Sequence, residues 1–148
     1  MSHQNSHNQA NATISKSIIQ LNGISHFALN VTNMDRAEQF YTGVLGFPVL
    51  MRTHTQAGLQ HIELDAGNMA IALFESPELD PKAAHKTMTD DGYLHFAFGA
   101  PYDRFEATLQ SLKEGGVKTE GAPRDWGESV SVYFRDPDGH QLEINFTK

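Results

Sequence analysis

The chain has 148 residues, no cysteine and a net charge of −7, from 11 Lys and Arg against 18 Asp and Glu. That length supplies one ordinary domain, or two small modules sharing a core, and buries about 68–70% of its unfolded surface. Disulfides, thiolate metal sites and cysteine nucleophiles are excluded, the acidic balance disfavours nucleic acid and anionic lipid, and no run approaches the ~20 apolar residues that span a bilayer.

Residues 1–21 are mostly Ser, Asn, Gln and His and read as a mobile polar tail, with His3 and His7 as solvated residues within it. No charged-then-apolar leader pattern is visible, so a soluble, cytoplasmic protein is expected. From Asn22 the pattern changes. Ile24–Val31 alternates, with Phe27, Leu29 and Val31 on one face and His26, Ala28 and Asn30 on the other, as in a half-buried strand. Thr32 or Asn33 can cap a helix whose apolar positions Ala37, Phe40, Tyr41, Val44 and Leu45 share one stripe, and Gly46 stops it. Strand-like runs follow at Phe47–Thr53, Leu59–Leu64 and Met69–Phe74. Residues 22–75 thus form a first β-α-β-β-β module.

A polar linker over residues 76–92, rich in Pro, Asp and Lys, leads to a second module over residues 93–148. There the order repeats: a strand at Tyr93–Gly99, a helix at Pro101–Glu114 stopped by Gly115 and Gly116, and a short strand at Val117–Glu120. Ser129–Phe134, a turn at Asp136-Pro137-Asp138-Gly139 and a last strand Gln141–Phe146 complete it. Ile24-Ser25-His26-Phe27-Ala28 is echoed by Tyr93-Leu94-His95-Phe96-Ala97 at the start of the second module. A matching order of five elements marks an internal repeat. The expected fold is α+β, two β-α-β-β-β modules forming a cup-shaped, partly open barrel with helices outside.

The phenylalanine after each repeated histidine takes the helix side, so His26 and His95 point the other way. In the last strand Leu142, Ile144 and Phe146 face the helices, which leaves Glu143 and Asn145 on the histidine face. A single histidine there is ordinarily a hydrogen-bonded core residue. Two at equivalent places in a repeat, with a glutamate on the same face, form the two-imidazole, one-carboxylate set that holds a divalent metal such as Fe(II) with positions left open. A substrate presenting two oxygens suits such a centre.

These features, with the closing run Tyr133-Phe134-Arg135-Asp136-Pro137-Asp138-Gly139-His140-Gln141-Leu142-Glu143, resemble the vicinal oxygen chelate superfamily: glyoxalase I, fosfomycin-resistance, bleomycin-resistance and extradiol dioxygenase proteins. The resemblance covers roughly residues 22–147. It implies His26, His95 and Glu143 as ligands of Fe(II), Mn(II), Zn(II) or Ni(II). Glyoxalase I enzymes add a carboxylate where this chain has Ala72, and Glu75 is of the wrong parity to replace it. Fosfomycin-resistance enzymes carry a hydroxyl where this chain has Ala28, a basic residue where it has Pro123, and a tail beyond the last strand that is absent here. Both comparisons point away from those branches. Extradiol dioxygenases, like the fosfomycin-resistance branch, keep a tyrosine ten residues before the glutamate, the position of Tyr133, whose parity with Ser129 and Ser131 places it on the Glu143 face. A phenol there can hydrogen-bond an oxyanion, and packing in a strand explains it equally.

His61 is a second candidate for proton transfer. Apolar alternation puts it on the pocket side, whereas a repeat alignment pairing Ile62 with Tyr133 puts it on the other. His85 reads as an exposed linker residue and His140 as structural. Trp126, near Arg124 and Glu128, reads as packing or as pocket rim, with packing favoured. The leading expectation is a metal-dependent enzyme acting on a small molecule, with a lean to extradiol-type ring cleavage. A glyoxalase-like lyase or isomerase and a metal-free, bleomycin-resistance-like binding protein are the alternatives. A homodimer is expected, and the linker permits the modules either to pair within one chain or to be exchanged between two, in which case His26 of one meets His95 and Glu143 of another.

Overall fold

The computed structural model describes residues 21–79 and 95–148. Most of the expected tail and linker, with His3, His7 and His85, lies outside the described residues.

Strand β1 (His26–Val31) buries Leu29 and Val31 and exposes His26, Ala28 and Asn30, the alternation expected. Asn33 caps the following helix α1 (Met34–Glu38) by accepting the amide of Arg36 at 2.8 Å. The expected single α-helix then widens into a π-helical stretch, Gln39–Val44, closed by the Leu45 amide on the Phe40 carbonyl. The wider turn brings the adjacent Phe40 and Tyr41 both onto the buried side, their rings edge to face at 5.1 Å. Gly46, at φ 78°, ends the run in a conformation that only glycine adopts readily. Strands β2 (Val49–His54), β3 (Gln60–Asp65) and β4 (Ala70–Glu75) complete a sheet in the order β1-β4-β3-β2. Its β1–β4 pair is parallel and the rest antiparallel.

The second half repeats this plan. Strand β5 (Phe96–Pro101) leads through a 3-10 turn, Tyr102–Arg104, into α2 (Phe105–Glu114). Strands β6 (Arg124–Asp125), β7 (Ser129–Arg135) and β8 (Gln141–Thr147) complete a sheet in the order β5-β8-β7-β6, the same permutation as the first. The strand expected at Val117–Glu120 is reduced to one bridge, Thr119 to Phe134, and the true partner of β7 lies at Arg124–Asp125. Gly121, at φ 71°, turns the chain away, and Pro123 has no amide to offer a ladder.

Both helices pack on the sheet faces opposite His26 and Glu143, in one core that includes Tyr41, Leu112, Phe134 and Phe146. Phe27 and Phe96, one from each first strand, stack at 4.3 Å between the modules. The Asp136–Gly139 turn fastens the halves. Asp136 accepts the Tyr41 hydroxyl at 2.7 Å, Asp138 accepts the Thr32 hydroxyl at 2.6 Å, and the His140 imidazole meets the Asn30 carbonyl at 2.8 Å. His140 is therefore structural, as expected. No helix among the described residues is long and apolar enough to cross a membrane.

Candidate metal centre

Glu143 lies on β8 between three core residues, Leu142, Ile144 and Phe146, and points from the opposite face. Its ladder neighbours are Ala97 on β5 and Tyr133 on β7. The small side chain of Ala97 leaves room beside it, and Glu143 is only 7% exposed. A buried carboxylate needs partners, and each oxygen has one. Oε2 lies 2.9 Å from Nε2 of His95, which precedes β5, and Oε1 accepts the Ser131 hydroxyl at 2.5 Å.

The wall around this pair is polar and aromatic. The Tyr133 ring stands edge-on to His95 at 5.8 Å, and the Arg124 guanidinium lies 5.5 Å from the Tyr133 ring centre. Burial, followed by the negative charge of Glu143, pushes the Tyr133 phenol above its ordinary pKa. It is therefore a hydrogen-bond donor at neutral pH. Trp126 is not packed away: it is 58% exposed, and its indole N–H donates to Ser131 at 3.1 Å. Sequence parity places Ser131 and Asn145 on this face, yet the hydrogen bonds that give them a task are visible only in three dimensions.

The first module presents the equivalent face without the carboxylate. His26 is exposed at the start of β1, its Nδ1 3.0 Å from the Ser25 hydroxyl. Ala28 pairs with Ala72 as Ala97 pairs with Glu143, so Ala72 does stand at the glutamate's position. Glu75 is engaged elsewhere, its carboxylate facing the amides of Met34 and Gln60 at 3.4 Å.

His61 falls on the His26 face, since Ile62 and Leu64 enter the core. Pairing of Glu63 with Ala72 matches that of Tyr133 with Glu143, so Glu63 is the counterpart of Tyr133, and His61 that of Ser131. The alignment of Ile62 with Tyr133 is one residue out because the β3–β4 turn is one residue shorter than the β7–β8 turn. The His61 ring stacks on Phe74 at 4.0 Å, and its buried Nε2 makes no hydrogen bond among the described residues.

One chain thus joins His95 to Glu143 and leaves His26 on the other sheet. Among the described residues no three His, Asp or Glu side chains gather closely enough to hold an ion. The donor chemistry nevertheless fits a divalent cation: an imidazole and a buried carboxylate already in contact, with a second imidazole exposed at the equivalent strand start.

Comparison with known proteins gives the family. The family model described as Glyoxalase/Bleomycin resistance protein/Dioxygenase superfamily matches residues 23–144. The metallothiol transferase FosB of Shouchella clausii is 33% identical over 127 residues, covering 84% of this chain and 80% of that protein. The glutathione transferase FosA of Serratia marcescens is 29% identical over 125 residues, covering 84% and 81%. Among solved structures, a glyoxalase family protein from Enterococcus faecalis superposes with a TM-score of 0.70 at 27% identity, covering 86% of this chain and 99% of that one. A variant of the fosfomycin resistance protein FosX from Listeria monocytogenes, complexed with Mn(II) and 1S,2S-dihydroxypropylphosphonic acid, gives 0.68 at 18% identity, covering 86% and 94%, a likeness of fold. The similarity to FosB and FosA runs against the sequence-based expectation that Ala28 and Pro123 set the chain apart from the fosfomycin-resistance branch.

Proposed function

The chain belongs to the Glyoxalase/Bleomycin resistance protein/Dioxygenase superfamily, the vicinal oxygen chelates, and we propose that it is a divalent-metal-dependent enzyme that opens a small, anionic, oxygen-rich electrophile by adding a thiol or water. The observation that carries the reading is the 2.9 Å contact between His95 and the buried Glu143, set in a wall that also holds Arg124 and Tyr133. His95 and Glu143 of one chain and His26 of a second would hold the metal, which when bound supplies a Lewis acid for neighbouring substrate oxygens. A homodimer is then a condition of the complete site.

The chain's own residues do the rest. Arg124 offers a fixed positive charge to an ionised oxygen group, taking over from the basic position lost at Pro123. Tyr133, held protonated, donates to an oxygen that gains charge. On this reading His61, which lies on the His26 face with Nε2 3.8 Å from Glu63 Oε1, takes the proton of the attacking thiol or water. In that addition the new S–C or O–C bond forms as a substrate C–O bond breaks, and the proton ends on the released oxygen.

Extradiol ring cleavage is the second reading, because the ligand set would have three members, two imidazoles and one carboxylate. Protein reconstituted with Mn(II) and mixed with fosfomycin and either cysteine or glutathione, followed by 31P NMR, tests the first. A new phosphonate resonance that Glu143→Ala abolishes is the expected result. Oxygen uptake by Fe(II)-loaded protein on a catechol panel, with fosfomycin untouched, would replace it with the second. Drug binding without metal would make the protein a sequestering one.

A further inference from the structure

Glu143 is held from behind by a network that begins on the protein surface. The Ser131 hydroxyl has one proton to give and two lone pairs to offer. The indole N–H of Trp126 can only donate, and it takes one lone pair at 3.1 Å. The Asn145 amide N–H2 takes the other at 3.0 Å, fixed in that orientation by a second bond to the Ser129 hydroxyl at 3.0 Å. With both lone pairs engaged, the Ser131 proton is directed to Glu143 Oε1, at 2.5 Å. That oxygen is thereby capped, and Oε2 is the one turned to His95. Ser131 is fully buried, where such a charge-assisted bond is strong.

The first module is an internal control. At the positions of Ser131, Glu143 and Asn145 it carries His61, Ala72 and Phe74, and the two rings stack instead of hydrogen-bonding. The network exists only where there is a carboxylate to orient. We propose that Trp126 and Ser131 are positioning residues that present Glu143 Oε2 to a bound divalent cation, so that the chain's single tryptophan reports on occupancy of the centre. This rests on the reading of His95 and Glu143 as metal ligands.

Mn(II) titration of the full chain, read both by the EPR signal of the free ion and by Trp126 emission, tests it. Ser131→Ala is expected to weaken Mn(II) binding by about 10–100-fold, as loss of a hydrogen bond to a ligand does. It should also abolish the emission change that saturating Mn(II) causes in the wild type. Trp126→Phe, at an exposed position, is expected to weaken binding by severalfold and to add nothing in the Ser131→Ala background, since it acts only through that hydroxyl. Circular dichroism without metal checks that each variant is folded, and Trp126→Phe carries the affinity test alone if Ser131→Ala is not. Variant affinities within about twofold of a wild type that binds Mn(II), or additive losses, overturn the positioning role while leaving the centre intact. A wild type that binds no Mn(II) overturns the centre and this inference with it.

Discussion

Ala72 and Glu143 hold the same place in the two halves: Ala72 pairs with Ala28 across the parallel β1–β4 ladder as Glu143 pairs with Ala97 across β5–β8. The repeat therefore builds two similar faces of which one carries a carboxylate. The first module can offer an imidazole, His26, and the second an imidazole with an acid, His95 and Glu143. In the proposed centre these sum to three protein ligands with positions left open.

Metal binding to the folded protein alone must stabilise it. Mn(II) at a hundredfold excess over its dissociation constant is expected to add about 2.7 kcal/mol to the unfolding free energy of the wild type and to leave Glu143→Ala unchanged. Urea unfolding with and without the ion measures the difference.

Tyr41→Phe tests the fastening between the modules. Its hydroxyl is fully buried and donates to Asp136 at 2.7 Å, and its removal leaves a buried carboxylate short of one donor. A loss of about 2 kcal/mol is expected from the urea midpoint. A change confined to a few tenths would mean that the backbone amides of Asp138 and His140 satisfy Asp136 unaided.

Asp136 also gives a pH signature. Burial holds its carboxyl above the ordinary aspartate value, although His140 and the Tyr41 hydroxyl pull it back. The folded state thus binds the proton more tightly than the unfolded chain. The contribution is fully present below the ordinary aspartate pKa and is lost as pH rises through the higher, folded value. Subtracting the stability profile of Asp136→Asn from that of the wild type should leave a component that falls as pH rises through this acid window. A component that rises would contradict the assignment.

The strand and helix order, the repeat and the face on which His26, His95 and Glu143 lie were legible because alternating apolar residues fix which side of a strand enters the core. Three features escaped for separate physical reasons. His61 had no settled side because a turn one residue shorter shifts the repeat register by one. The second strand of the second module was misplaced because Val117 looks apolar enough for a strand, while Gly121 and Pro123 move the pairing on to Arg124–Asp125. The role of Trp126 and Ser131 depends on hydrogen bonds across a turn, which composition does not encode. The similarity to FosB and FosA was obscured by weighing single positions, Ala28 and Pro123, against a likeness that extends over 84% of the chain.

Tyr133→Phe separates chemistry from ligand holding. The phenol stands edge-on to His95 and engages the Glu143 carboxylate without being a ligand of the cation in the proposed mechanism. Loss of the phenol is expected to lower kcat/KM about 100-fold and Mn(II) affinity by no more than severalfold, since Ser131 and His95 still hold the Glu143 carboxylate. Equal losses in both would make the tyrosine part of the metal site.

Co-refolding His26→Ala chains with Glu143→Ala chains in equal amounts, followed by metal analysis of the isolated dimers, tests the shared centre most directly. Neither variant alone can complete a site, and in the mixed dimer one site regains all three wild-type ligands. The expected metal content is about one quarter of the wild-type value, since half the dimers are mixed and each restores one of two sites. A mixture as empty as its parents, beside a wild type that holds metal, would contradict the sharing of His26 with the partner's His95 and Glu143.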